Sequence, residues 1–363
     1  MYAVVPVFVL SLHLLLCFAH VPVFPKSTEA SSPYKLKDID IKSYGVYGEL
    51  KSNDIVWLEV EAEKGWDLSV SLQRNKEEAV YDVAVWGPEL NNVTCGNKNW
   101  FGWTHSVGNG HYFTRNLTEL PPSVLSAIAS SDAFVLHGDG QEAPHFEPFG
   151  VGVYWPLAGC RDTFPETGTY YMALVNPKED TTVSFSLGVG MEESFTVLEL
   201  LLMPFVILDT FVWSGRSLET VIGIFIICMS LVYTFKIATI QRNSYQLLTR
   251  TIRQTIQTVA LHIIWVCAAA FFSSGISFLF QLIYCSSLTN LGGMIWIPLL
   301  VHITMPIMIA LLVLFFYDSR LTIWWKLVFL VGGLYMLFLG WLSFLVFPLL
   351  YLLSIVIQLI LGP

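Results

Sequence analysis

Charged residues are divided unevenly along this chain, and the division restricts what each part can fold into. Residues 220–363 contain one acidic residue, Asp318, and six basic residues, whereas the first 219 residues hold the other 27 acids and 13 bases. A long apolar segment with almost no charge is typical of helices embedded in lipid. The front segment has the composition of a water-soluble acidic domain. We therefore predict a soluble front domain followed by a membrane-embedded domain.

Four apolar runs in the second part are long enough to cross a bilayer. The six bases lie in or beside the first and third connections between these runs, and the second connection, residues 285–290, has no charge. Because short cytoplasmic loops gather Lys and Arg, this pattern predicts that the chain enters the membrane from the lumenal or extracellular side. The last apolar stretch is too long for one crossing, so we predict a reversal near Ser343–Pro348 and a bundle of four to five helices at 219–363. The runs are Thr220–Thr239, Ile256–Tyr284, Leu291–Tyr317 and Leu321–Phe347.

A further apolar stretch, Glu192–Trp213, precedes the first predicted crossing. A full crossing here would invert every later loop, and the stretch also contains Glu199, Pro204 and Asp209. We therefore predict that residues 191–215 form an amphipathic helix that lies on the outer leaflet and ties the front domain to the bundle. A membrane-spanning helix is the alternative.

The chain opens with a 15-residue apolar run, Val4–Phe18, that is followed by polar residues from Lys26. This run is shorter than a membrane-spanning helix, and Ala19 suits the position before a cleavage site, so we predict a signal peptide at residues 1–19. An uncleaved anchor is the alternative. Residues 20–50 are expected to form a linker or N-terminal segment. The front domain is then lumenal or extracellular, in a secretory-pathway membrane or the plasma membrane.

Apolar and polar residues alternate from about Ile55 onward in the pattern of β-strands. In the first such strand Val56, Leu58 and Val60 face one way, and the residues between them face the other. Several short strands of this kind, separated by Gly and Pro turns, predict an all-β sandwich over residues 51–190. The expected fold class is therefore an N-terminal β-sandwich followed by an α-helical multi-pass membrane bundle.

Three stretches of the front domain resemble the strands of one class of secreted module. They are DIVWLEVEAEKGWDLSVSLQ at Asp54–Gln73, YDVAVWGPEL at Tyr81–Leu90 and ETGTYYMALVNP at Glu166–Pro177. Through these motifs, residues 54–190 are similar to the jelly-roll modules of the bacterial prepeptidase C-terminal type. The resemblance implies a jelly-roll or β-sandwich fold and contact with a carbohydrate or a protein, and it implies no catalytic residue.

Two cysteines, Cys95 and Cys160, lie in the front domain. In a secreted domain such a pair predicts one disulfide bond. The triplets that begin at Asn92 and Asn116 have the sequence Asn-x-Thr and are predicted acceptors for N-glycosylation. Both features agree with passage through the secretory pathway.

Residues 91–150 form a long insertion between predicted strands, and they are rich in His and aromatic residues. Imidazole and carboxylate groups suit Zn or Cu, so a metal site in this insertion is one hypothesis. No recognised ligand spacing is present, so ordinary loop histidines are the alternative. The Trp and Phe side chains suit stacking on sugar rings, packing on a partner, or a local core beneath the disulfide. The candidate metal ligands are His105, His111, His137, His145 and Glu147.

Two histidines, His262 and His302, fall inside the predicted crossings, where polar residues are the first candidates for function. Their depths differ by roughly 13 Å at 1.5 Å per helical residue, which is too far apart for both to bind one haem. Pro298, His302 and Pro306 share one helix face and predict a kinked helix with His302 at the bend. Such a bend serves either as a gate or small-ligand site, or only for packing, with the His bonded to a freed carbonyl.

The acidic balance of the front domain argues against nucleic acid as a partner, because phosphate binding needs a basic surface. No catalytic motif is found, so we expect a receptor, cargo adaptor or scaffold that binds a glycan or protein partner through its sandwich. We expect the lipid bilayer around its helices, and no cofactor. One alternative is a membrane enzyme that depends on Cu or Zn held by the His-rich insertion. The other is a channel or transporter, which the lack of acidic residues inside the crossings disfavours.

Overall fold

The structure of this chain is a computed structural model with an N-terminal β-rich region and a helical C-terminal part. The predicted signal peptide at residues 1–19 lies outside the described residues. The structure describes residues 21–25, 29–75, 80–95, 113–114, 117–118, 120–129, 131–138, 144–147, 151–178, 181–190, 196–241, 252–318, 321–339 and 346–361.

The β-rich region, which we call the front domain, contains two sheets within the described residues. Its strands are β1 (Val21–Val23), β2 (Tyr34–Leu36), β3 (Tyr44–Leu50), β4 (Ile55–Ala62), β5 (Asp67–Arg74), β6 (Asp82–Gly87), β7 (Phe113–Thr114), β8 (Asp132–Leu136), β9 (His145–Glu147), β10 (Gly152–Thr163), β11 (Gly168–Val175) and β12 (Val183–Val189). Sheet A has the order β1-β3-β12-β5-β10-β9, and sheet B has the order β2-β4-β11-β6-β8-β7. The pairs β1–β3 and β2–β4 are parallel, and the other described pairs are antiparallel.

Much of the segment at residues 20–50, expected as a linker or N-terminal segment, belongs to the two sheets. It supplies β1 and β2, each at the edge of one sheet, and β3, which pairs with the last strand, β12. Gly45 and Gly48 interrupt the apolar alternation of β3 and lower its strand propensity, so its sequence pattern is weak. A Cβ added at Gly48 would lie 2.7 Å from the ring of Phe185 on β12, so the packing between these strands requires a glycine there.

One hydrophobic cluster is shared by the facing sides of the two sheets. The alternation predicted for β4 is confirmed, because Val56, Leu58 and Val60 lie in this cluster, whereas Trp57 lies on the opposite face of sheet B. Helix α1 (Pro122–Ile128) packs against Trp57 and covers part of that opposite face. Each sheet therefore has one face in a common core and one face that makes other contacts.

The C-terminal part, which we call the helical domain, contains six longer helices within the described residues. They are α2 (Val197–Trp213), α3 (Leu218–Gln241), α4 (Ile252–Leu288), α5 (Trp296–Phe316), α6 (Ile323–Leu339) and α7 (Val346–Leu361). Among the described residues, three helices are long and apolar enough to cross a membrane, namely α3, α4 and α5. Helices α6 and α7 have 17 and 16 residues. These two helices pack against each other. The reversal predicted near Ser343–Pro348 falls between them and at the start of α7, and residues 340–345 lie outside the described residues.

Helix α4 forms the centre of the helical domain and packs against α3, α5 and α7. In its most apolar window 67% of the residues are buried within the protein, compared with 11% in α3, so α4 is enclosed by its neighbours. A Cβ added at Gly275 would lie 2.9 Å from the carbonyl oxygen of Ile303 on α5. Since small residues allow helix backbones to approach closely in lipid, Gly275 sets the distance between α4 and α5.

Candidate functional site

The front domain meets the helical domain through the outer face of sheet A. Tyr47 of β3 and Tyr154 of β10 pack against Trp213 at the end of α2, with ring centroids 5.0 and 5.7 Å from that of the Trp. The two tyrosine hydroxyl oxygens lie 3.3 Å apart. Burial raises the pKa of Tyr47 to about 12 and that of Tyr154 well above its ordinary value, so both phenols stay neutral near pH 7. We call this contact between sheet A and the helices the junction.

Helix α2 is attached to the front domain at both of its ends. Glu199 takes part in the capping box of the first turn, and Lys42 pairs with the Glu199 carboxylate at 2.9 Å. At the other end the Trp213 indole donates to the Gly48 carbonyl at 3.3 Å, and Asn75 donates to the Trp213 carbonyl. A helix whose two ends contact one surface lies along that surface. Helix α2 therefore runs beside β3 and does not lead away from the front domain.

Arg216, between α2 and α3, is a buried cation at the junction. It is 8% exposed and makes no salt bridge within the described residues. Its Nη2 donates to the Val151 carbonyl, and the Cys285 thiol donates to the same carbonyl at 3.2 Å. The guanidinium carbon lies 4.4 Å from the centre of the Phe211 ring and 5.6 Å from that of Tyr284. The carbonyl and the ring faces partly replace the water that this cation has lost.

Strands β9 and β10 carry the edge of sheet A into the helical domain. Phe146 of β9 and Val153 of β10 belong to the same hydrophobic cluster as the helices. Thr289, just beyond α4, donates its hydroxyl to the Pro144 carbonyl at 2.7 Å. Val151, which precedes β10, has φ of 48°, in the left-handed region that β-branched residues rarely adopt. This edge of sheet A is therefore fixed against α4 by both apolar and polar contacts.

A shallow groove with a volume of about 360 Å³ lies on the outer face of sheet B. The rings of Trp86 and Tyr171 stack there with centroids 5.6 Å apart, and the Asp132 carboxylate accepts a hydrogen bond from the Asn91 amide. Because sheet A faces the helices, the groove lies on the other sheet, on the side of the front domain opposite the junction. The groove is lined by Trp86, Gly87, Pro88, Glu89, Ser131, Asp132, Thr169 and Tyr171.

The residues predicted as metal ligands are not brought together within the described part of the chain. His137 follows β8 in sheet B, and its Nδ1 lies 3.3 Å from an Asp82 carboxylate oxygen. His145 and Glu147 lie in β9, which belongs to sheet A. The described residues contain no group of three or more His, Cys, Asp or Glu side chains that could hold a metal ion. The hypothesis of a Zn or Cu site stays a prediction, since His105 and His111 lie outside the described residues.

The disulfide predicted in the front domain is present. The sulfur atoms of Cys95 and Cys160 lie 2.12 Å apart and join the segment after β6 to strand β10. Asn92, one of the two predicted glycosylation acceptors, is exposed at the end of a short 3-10 turn, Leu90–Asn92. The other acceptor, Asn116, lies outside the described residues.

His302 lies at an irregular segment of α5. The bend predicted from the flanking prolines takes the form of a π-helical segment, Leu299–Thr304, which leaves carbonyls without their usual partners. One of them, that of Val301, accepts a hydrogen bond from the Tyr335 hydroxyl of α6 at 2.9 Å. His302 is fully buried and stacks on Phe278 of α4 at 4.7 Å. These contacts join three helices at one level of the helical domain.

His262 lies in a separate contact between α3 and α4. Its Nδ1 is 3.4 Å from the Tyr233 hydroxyl, and its ring meets that of Trp265 edge-on at 5.2 Å. His262 therefore contacts Tyr233 and Trp265, whereas His302 stacks on Phe278.

At the end of the helical domain away from the sheets, three bases donate to backbone carbonyls near helix ends. The carbonyls belong to the last turns of α5 and α7, where an α-helix leaves acceptors unsatisfied. Basic side chains at these positions also oppose the negative end of the helix dipole. The pairs are Lys236 with Leu314, Lys326 with Gln358, and Arg253 with Leu361.

The sequence does not predict the junction residues. Arg216 stands directly before a predicted crossing, at the end of the predicted crossings where the connections otherwise have no bases. This exception to the charge pattern is the feature of the sequence that distinguishes Arg216. Val151 and Trp213 carry no comparable clue, because their roles depend on contacts between distant segments.

Comparison with known protein families, with curated proteins and with solved structures found no match for this chain. The resemblance of residues 54–190 to secreted jelly-roll modules therefore rests on the short sequence motifs alone.

Proposed function

We propose that this chain is a multi-pass membrane protein whose front domain is a β-sandwich on the lumenal or extracellular side. Three long apolar helices, followed by two shorter ones, support a multi-pass bundle. Two sheets that share one hydrophobic cluster support a sandwich. The bases that cap α5 and α7 lie at the end of the bundle away from the sheets, as expected if that end is cytoplasmic.

The role we propose is that of a receptor, cargo adaptor or scaffold that binds a protein or glycan partner at the groove. One observation carries this proposal: the junction covers the outer face of sheet A, whereas the groove on sheet B turns away from the helices. A partner approaching from the lumen or the cell exterior would therefore meet the groove without contacting the membrane. Stacked aromatic rings beside carboxylates and hydroxyls offer both apolar contact area and hydrogen-bonding groups to either kind of partner.

Photo-cross-linking from the rim of the groove tests this role. A benzophenone amino acid at Glu89, which is exposed, should give specific adducts in native membranes. The matched control is the same amino acid at Lys178, an exposed residue in the turn between β11 and β12. A protein partner should give adducts that resist deglycosylation, and a glycan partner should give adducts that deglycosylation of the membranes removes. Identical adducts from both positions, or none from Glu89, would contradict the proposed role of the groove.

A further inference from the structure

We infer that Arg216 and Cys285 form a latch on the carbonyl of Val151, and that this latch couples the front domain to the helical domain. The latch consists of these three residues, which come from the segment before α3, from α4 and from the start of β10. The structure shows it closed. It is a conformational device beyond the binding role proposed above, and its existence does not depend on the identity of a partner.

Val151 is held in a backbone conformation that its own side chain disfavours. Its φ of 48° places a β-branched residue in the left-handed region, where Cβ crowds the following carbonyl. Its side chain is fully buried in the helical cluster, and its carbonyl accepts from both Arg216 and Cys285. Strained residues persist only where the surrounding structure over-determines them. The contacts with Arg216 and Cys285 are therefore what holds the start of β10 in this conformation.

Arg216 is also in a state that is unfavourable without the contact. Within the described residues its Nε and Nη1 have no hydrogen-bond partner, and the buried guanidinium makes no ion pair there either. A buried cation with incomplete pairing has lost hydration that its contacts only partly replace. When the latch opens, Val151 returns to an extended conformation and Arg216 regains contact with water or lipid headgroups. Val151 is strained, Arg216 has lost hydration, and each stabilises the other in the closed latch. We therefore expect the latch to have two discrete states, closed and open.

The latch lies on a short path along the chain from the groove. Asp132 lines the groove and begins β8, and the amide of Gly138, just after that strand, donates to Asp82 at 3.0 Å. Within the described residues that follow, the chain contacts the helical domain at Pro144, Phe146 and Val151. Occupancy of the groove that shifts β8 would therefore act on the latch through β9. This last link rests on the proposed function, whereas the latch itself does not.

Hydrogen–deuterium exchange of the full-length protein in lipid nanodiscs tests the latch. Arg216→Met keeps a long apolar side chain against Phe211 and Tyr284 but cannot donate to Val151. We expect amide exchange in peptides covering residues 145–154 to become about ten-fold faster or more, since a buried carbonyl loses a charge-assisted hydrogen bond. Peptides covering β12 in the same sheet should keep their wild-type rates.

Two further variants complete the test. Lys42→Gln removes a junction cation at the opposite end of α2 and should leave exchange at residues 145–154 unchanged. Cys285→Ala, a substitution that a helix tolerates well, should speed this exchange by a smaller factor and add nothing to Arg216→Met. If Arg216→Met does not fold, Cys285→Ala decides alone.

Unchanged exchange at residues 145–154 in the latch variants, or an equal rise across both sheets, would overturn the latch. Its failure is distinguishable from failure of the proposed function. Absent cross-links from the groove combined with fast exchange in Arg216→Met would refute the binding role and leave the latch in place.

Discussion

The two ends of the helical domain both place cations against backbone carbonyls, but the carbonyls differ in kind. At the far end, Lys236, Lys326 and Arg253 bind acceptors in the last turns of helices, which every helix leaves unsatisfied. At the end that meets the sheets, Arg216 binds the carbonyl of Val151, a strained residue of another domain. The far-end cations therefore complete single helices, whereas Arg216 attaches one domain to another. The same kind of contact, a cation donating to a backbone carbonyl, serves folding in one place and domain attachment in the other.

The difference between the two ends of the helical domain requires that they lie on opposite sides of the membrane. Accessibility to an enzyme added outside the membrane tests this, because each end is either reached or protected. A protease-cleavable tag at Ser244, in the connection between α3 and α4, should be digested in intact microsomes. Glycans on Asn92 should resist endoglycosidase in intact microsomes, because the front domain is enclosed in the lumen there. Endoglycosidase should remove them once detergent is added. A tag that is digested only after detergent treatment would reverse the orientation of the whole bundle.

The next largest effect is expected at the junction, from Trp213→Ala. Trp213 is 9% exposed and contacts Tyr47 and Tyr154, and replacing a buried Trp by Ala costs about 3–5 kcal/mol. We therefore expect the contact between the domains to open at a lower denaturant concentration in Trp213→Ala than in the wild type. Pulse proteolysis across a denaturant series measures this concentration. Trp66→Ala, at a partly buried turn residue of the front domain, is the control. Equal effects of the two variants would show that Trp213 is not a principal contact of the junction.

At the far end, Lys326→Met should destabilise the helical domain by about 2 kcal/mol, because the buried Gln358 carbonyl loses its charged donor. Arg216→Met should change the overall free energy of unfolding by less than about 1 kcal/mol. Two nitrogens of the buried Arg216 have no hydrogen-bond partner within the described residues, and the Val151 carbonyl keeps the Cys285 thiol as a donor after the substitution. Unfolding in mixed micelles measures both. Arg253→Met, at an exposed cap, is the control and should have an effect below about 0.5 kcal/mol. A larger loss of unfolding free energy in Arg216→Met than in Lys326→Met would remove the distinction between the two ends.

The smallest effect concerns pH at the start of α2. Partial burial alone would raise the pKa of Glu199, but hydrogen bonds in the cap and the charge of Lys42 outweigh it and lower the pKa. A group with a lowered folded pKa stabilises above its unfolded pKa, about 4.3, and this contribution is lost as pH falls through the folded pKa. We expect faster amide exchange in the first turn of α2 below about pH 4. The loss of local stability should be less than about 1 kcal/mol, because the Lys42–Glu199 pair is partly exposed. In Glu199→Gln this pH dependence should be absent.

Local patterns in the sequence predict those parts of the fold that depend on neighbouring residues. The alternation at Val56, Leu58 and Val60 predicts the buried face of β4, and the length of the last apolar stretch predicts the break before α7. Strand β3 is missed because Gly45 and Gly48 weaken the alternation, although Gly48 is needed for packing against Phe185 on β12.

The parts that the sequence does not predict depend on contacts between distant segments. His137 and His145 are close in sequence, but His137 follows a strand of sheet B and His145 lies in sheet A, so their proximity along the chain alone does not predict a metal site. The charge of Lys326 indicates an orientation, but nothing local shows that it caps the end of α7. Arg216 is identified as an exception in the charge pattern, and its partner Val151 is not identifiable from sequence at all.

The order of strands in the two sheets has a consequence for synthesis of the chain. The last two strands made, β11 and β12, each occupy the third position of their sheet, between strands that were made earlier. At about 5–20 residues per second, β3 and β5 emerge from the ribosome well before β12, the strand that joins them. Sheet A therefore closes only when residues up to Val189 are available, just as α2 begins to emerge. A ribosome that pauses before Val189 leaves strand edges of sheet A open, so the nascent chain is most exposed to misassembly in that interval.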